Sequence, residues 1–147
     1  MATPQVDPEG FRALAAAFVA TRGSANTRAA YGRDLRLLGE ALGVQPMDAD
    51  APPFGVEDHP GARRAAQQMS AVPAGWWQDW RDGLDGRRSS RARRVAAVRA
   101  FCRWWSRALD LPNPVENLRP PASAGRGQER LTREVAALSA SQVRRMC

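Results

Sequence analysis

Apolar residues recur along this chain three and four positions apart, the spacing of one helix face, and nowhere settle into the two-residue alternation of a strand. Phe11, Leu14, Ala15 and Phe18 predict a first helix that ends before Gly23. Ser24 suits an N-cap, because its hydroxyl can accept from amides left free in the following turn, where Asn26 and Thr27 stand. It opens a second helix with the stripe Tyr31, Leu35, Leu38 and Leu42, closed by Gly43. From Val44 to Asp58 the pattern fails: Pro46, Pro52, Pro53 and Gly55 come with four acids and no base, which predicts an irregular acidic connection. Shorter helices are expected over Gly61 to Ser70, and from about Pro73 through Trp76, Trp77, Trp80 and Leu84 to Gly86.

The strongest helix is expected to begin at Ser89 or Ser90. At about 100° per residue, Val95, Val98, Cys102, Trp105 and Leu109 form one stripe roughly 80° wide, with Phe101 at its edge and Arg99, Arg103 and Arg107 on the opposite side. Arg91 and Arg94 share the azimuth of the stripe but precede it by one or two turns, so that end should project past the core. Pro112 and Pro114 stop the helix, residues 120–129 read as a flexible linker, and LTREVAALSASQVRRMC begins a further helix. The expected fold class is all-α: a compact bundle of four to five helices over 1–119, a linker over 120–130, and one extra helix over 131–147. At 147 residues, one sizeable core plus tails is the expected organisation.

Charge changes this picture from a generic bundle to one with a sided surface. The net charge is +7, but Met1 to Pro73 carries 7 Arg against 8 acids and Ala74 to Cys147 carries 15 against 7. Eight arginines and no acid lie between Arg87 and Arg107. All 22 basic residues are arginine, which a GC-rich coding sequence would impose whatever the function, so position rather than residue type carries the argument. A basic helix N-terminus adds free N–H groups and the positive end of the helix dipole to its guanidinium groups, the combination a polyanion requires. Nucleic acid is the expected partner.

Other classes find little support in the sequence. No 18-residue apolar run spans a membrane, and the apolar stretch near Phe11 to Val19 is preceded by acids rather than a basic segment, so a cytoplasmic location is expected. Cys102 and Cys147 have no metal-ligand spacing, and Cys102 reads as a core thiol; neither metal nor cofactor is expected. Tyr31 and the tryptophans at 76, 77, 80, 104 and 105 read as packing residues, His59 as a loop residue, and Arg33 and Asp34 as potential surface ion pairs.

Four segments carry a family resemblance. Ser24-Ala-Asn-Thr-Arg-Ala-Ala-Tyr31-Gly-Arg33-Asp34-Leu35 looks like the pattern S-x-N-T-x-x-x-Y-x-x-D-L, and Ser90-Arg-Ala-Arg-Arg94-Val-Ala-Ala-Val98-Arg99-Ala-Phe101-Cys-Arg-Trp104-Trp105 is similar to S-x-x-T-x-x-R-x-L-S-A-L-R-x-F-Y-x-W. Asn113-Pro114-Val-Glu-Asn117-Leu matches an N-P-x-x-x-L turn, and Ala137-Leu-Ser-Ala-Ser-Gln-Val143 an L-S-x-x-Q-V segment. In this order and rough spacing they resemble the core-binding (SAM-like) domain of tyrosine recombinases: phage integrases, Xer-type and Cre-like enzymes. Departures are the acidic insert, Arg93 and Arg94 where many relatives carry other polar residues, and Gly32 in mid-helix.

The resemblance implies a module that embraces one face of duplex DNA, its second and last main helices crossing adjacent major-groove turns. Candidate contacts are Thr27, Arg28, Arg33, Arg88, Ser90, Arg91, Arg93 and Arg94. These arginines read as exposed, so their removal is expected to change stability little. The first helix would contact neighbouring recombinase protomers. The family's catalytic arginine, lysine, H-x-x-R pair and nucleophilic tyrosine find no counterpart: the chain has no lysine, one histidine, His59, and one tyrosine, Tyr31. No catalytic residue and no enzymatic activity are therefore expected, and the resemblance implies a fragment ending about one helix into the catalytic domain. Two other functions fit the same residues: a helical protein interaction or oligomerisation module, and an RNA-binding regulatory protein.

Overall fold

The computed structural model describes residues 3–45 and 55–121, and within them every regular element is helical. The elements are α1 (Pro8–Ala20), α2 (Ala25–Ala41), one 3-10 turn (Val56–Asp58), α3 (Pro60–Ser70), α4 (Ala74–Asp82) and α5 (Arg88–Leu109). They form a small helical bundle, as the periodicity requires.

Helix starts follow local chemistry. Asp7 Oδ2 accepts from the Gly10 amide at 2.8 Å and Pro8 occupies the first turn of α1, where a missing N–H costs nothing. Ser24 caps α2 as its sequence suggests, accepting from the Thr27 amide at 3.1 Å. His59 is more than a loop residue: its Nδ1 accepts from the Ala62 amide at 3.0 Å and so caps α3, with Pro60 following. α5 starts earlier than either serine. Gly86 turns the chain at φ +102, Arg87 is extended and caps without a side-chain bond, and Ser89 and Ser90 therefore stand inside the first turn instead of ahead of it. Ends are set by left-handed residues, Gly43 after α2 at φ +82 and Asp110 after α5 at φ 55. Asp110 halts α5 before Pro112 is reached.

The core forms where α5 meets α1, α2 and α3. Val95, Val98, Cys102, Trp105 and Leu109 are all buried, as is the edge residue Phe101, and Ala97 joins them. Phe101 meets Phe11 and Phe18 edge-on, with centroids 5.8 and 5.6 Å apart. α1 packs most extensively on α3, and Gly10 makes that possible: a Cβ there would fall on the Gly61 carbonyl. Ala62, Ala65 and Ala66 keep the facing side of α3 equally thin. Trp76 and Trp77 are buried and Trp80 half-buried, so this cluster packs against the bundle.

Of the acidic connection, the described ends are anchored by buried Val44 and Val56. Its middle, the expected linker beyond Pro121 and the expected extra helix over 131–147 lie outside the described residues. Among the described residues no helix is long and apolar enough to cross a membrane.

Candidate nucleic-acid interface

The N-terminal halves of α2 and α5 lie side by side, and an ion cluster joins them. Asp34 falls between Tyr31 and Leu38 on the apolar face of α2 and is 2% exposed. An acid so placed requires partners. Arg93 supplies a two-point contact, Nε to Oδ2 and Nη2 to Oδ1, each 3.3 Å. Arg94 adds a second cation, Nε to Oδ1 at 3.6 Å, and is itself held by a 3.1 Å bond from Nη1 to the Asp85 carbonyl. Two positive charges on one negative leave the cluster cationic. Arg93 Nη1 makes no bond within the described residues, and the Arg93 side chain is 49% exposed.

Beside this cluster, a groove of about 340 Å³ runs between the two helices, lined by Asn26, Thr27, Tyr31, Asp34, Arg93 and Ala96 among others. Thr27 is exposed at its mouth, one turn from the N-terminus of α2, its Oγ1 bonded to the Ser24 hydroxyl at 2.8 Å. Thr27 and Arg93, proposed from separate motifs, thus line one groove.

The remaining candidates have different settings. Arg28 is exposed but folds back, with Nη1 donating to the Arg22 and Gly23 carbonyls at 3.1 and 3.3 Å, so it braces the α1–α2 turn. Arg33 is exposed on α2. Arg88, Ser90 and Arg91 are half-buried in the first turns of α5, and Arg91 Nε is buried with no hydrogen-bond partner.

Two sequence expectations need correction here. Arg93 and Arg94 are not merely exposed side chains without a folding role, because each holds the buried Asp34; their removal would leave that carboxylate short of partners. Asp34 likewise does not form a surface pair with its own helix but a partly buried one across helices. The signal is present in the sequence: an acid between Tyr31 and Leu38 on an apolar stripe, with arginines in excess on another helix. Periodicity gives no hint of a further element. Arg22 lies over the Phe18 ring at 4.5 Å and the Tyr31 ring at 5.5 Å, which pins the α1–α2 turn beside the groove.

Cys102 is a free, fully buried thiol, as expected for a core cysteine, and burial pushes its pKa far above the ordinary value. Among the described residues no cluster of His, Cys, Asp or Glu is arranged to hold a metal ion. Compared with known proteins, the chain matches no family model, no curated protein and no solved structure.

Proposed function

We propose that this chain is a duplex-DNA-binding module of the tyrosine-recombinase core-binding type, acting in the cytoplasm and not catalytic by itself. The observation that carries the reading is the junction of α2 and α5, where the first turn of α2 with Thr27, and Arg93 held by Asp34, border one groove. Helix N-termini favour anions through their free N–H groups and dipole, and guanidinium groups add charge-assisted bonds to phosphate. Asp34 contributes order: it fixes the Arg93 fork by two nitrogens and leaves Nη1 for an incoming phosphate oxygen. A side chain already held loses less entropy on binding.

The oligomerisation alternative draws less support. Phe11, Leu14 and Phe18 of α1 are consumed by the core, and Leu37 is the one exposed large hydrophobic among the described residues. The RNA alternative is separated by competition. The experiment is duplex binding over a salt series, with RNA competitor, supercoiled DNA and suicide-nicked substrates in parallel. We expect log affinity to fall linearly with log salt, duplex to outcompete RNA, and no covalent adduct to form. Salt-independent binding, an RNA preference or a tyrosine-linked adduct would each reject the reading.

A further inference from the structure

Beyond the first turn of α5, the remaining five arginines of the basic segment divide in two once partners are assigned. Arg93 and Arg94 are committed to Asp34 and the Asp85 carbonyl, whereas Arg99, Arg103 and Arg107 form no ion pair or hydrogen bond among the described residues. These three stand four residues apart on α5, so their Cα atoms step by about 6 Å and span about 12 Å along the helix. They line a cleft of about 250 Å³ against the turn that follows α5, together with Ser106, Asn113 and Glu116. Ser106 and Asn113 already have partners there: the Ser106 hydroxyl donates to the Leu111 carbonyl, and Asn113 Oδ1 accepts from the Val115 amide. Glu116 is the one acid of the cleft and pairs with none of the three arginines.

A solvated face that offsets the helix dipole accounts for only part of this. The negative end of the dipole acts within the last turn, which holds Arg107 alone, and leaves Arg99 and Arg103 unexplained. Nor does the core need them, since none of the three makes a polar bond to a residue beside the buried stripe. Three unpaired guanidinium groups in a row, against a single acid, complement an extended polyanion with regularly spaced charge.

We propose that Arg99, Arg103 and Arg107 form a second contact for a phosphodiester backbone, separate from the α2–α5 junction and gripping another stretch of the nucleic acid. The inference rests on the DNA-binding reading and adds a surface to it. Phosphate oxygens would be held by the forks of Arg99 and Arg103, with Arg107 closing the far end of the row. Because the ladder reads only backbone, it adds affinity and salt dependence without base preference.

The test compares three proteins in duplex binding over a salt series: the unaltered chain, a ladder variant Arg99→Ala/Arg103→Ala/Arg107→Ala, and a junction variant Thr27→Ala/Arg93→Gln, which removes the groove's cation while keeping a donor for Asp34. The ladder variant is expected to melt like the unaltered chain and to flatten the slope of log affinity against log salt by about 2 to 3, at about 0.9 for each phosphate no longer neutralised. Both variants together should flatten it further. If the ladder variant keeps the full slope while the junction variant loses some, the ladder is wrong and the DNA reading stands. If the unaltered chain binds no duplex, the DNA reading itself has failed. Should the triple variant lose its fold, Arg103→Glu alone decides: weakened binding by a folded protein supports the ladder, and unchanged binding rejects it. Capture of an acidic peptide with no effect on DNA binding would also overturn it.

Discussion

Asp34 shows how one side chain ties the packing of two helices to the proposed binding surface. It is nearly inaccessible, and its charge is balanced by two arginines from a helix 59 residues away in sequence. Asp34→Ala leaves the Arg93 guanidinium without its acceptor at the helix interface and Arg94 with only the Asp85 carbonyl. Breaking a fully buried pair costs about 3–5 kcal/mol, but the Arg93 and Arg94 side chains are 49% and 24% exposed and water recovers part of that. The expected loss is about 2 kcal/mol in urea unfolding; an unchanged midpoint would show the cluster to be dispensable for folding. Cys102 gives a prediction in pH. Its folded pKa is raised by burial above the ordinary 9.0, so the fold keeps the thiol neutral while the unfolded chain ionises. That contribution is whole below about pH 9 and fades as pH climbs past it. Cys102→Ala should remove this part of the alkaline loss of stability, and Cys102 in the native protein should resist alkylation at neutral pH until denaturant is added.

At the scale of the element, α5 does two jobs on two faces. Trp105 is fully buried in the middle of the Val95, Val98, Cys102 and Leu109 stripe, whereas Arg103 is exposed. Trp105→Ala should cost roughly 3–5 kcal/mol through the cavity it leaves, and Arg103→Ala should leave the melting temperature within about a degree or two, as surface substitutions do. A Trp105→Ala protein that melts normally would mean that the aromatic face is solvent-facing and α5 is rotated from its described setting. This division was legible in the sequence because a helix face is a local property: the 100° step alone separates Trp105 from Arg103. The start of α5 was less legible. Two serines look like caps, but Gly86 and an extended Arg87 fix the first turn one or two residues earlier, and which of several cap-like residues is used depends on how the preceding chain enters.

For the whole molecule, the arrangement of helices decides what the charge excess can do. The net charge of +7 says that a polyanion is attracted, and its concentration after Arg87 says roughly where. Neither says which arginines are available. Packing α2 against α5 turns Asp34 into a clamp and draws Arg93 and Arg94 toward it, while the same packing leaves Arg99, Arg103 and Arg107 without partners. On the proposed DNA-binding reading, affinity at low salt should therefore depend on both the junction and the ladder, and fall steeply as salt rises.

By itself the sequence determined the all-α class, the apolar stripes of α1, α2 and α5, the Ser24 cap, the Gly43 stop and the packing role of the tryptophans. Each of these follows from residues within a few turns of one another, where helix period and capping chemistry leave little choice. Only the tertiary structure decided that Gly10 sits on the Gly61 carbonyl, that His59 caps α3 beside it, that Asp34 is buried and doubly paired, and that Arg99, Arg103 and Arg107 line one cleft without partners. Those facts depend on which helix faces meet, and at what depth. Distant residues acquire a charge partner or are shielded from water only when that choice has been made.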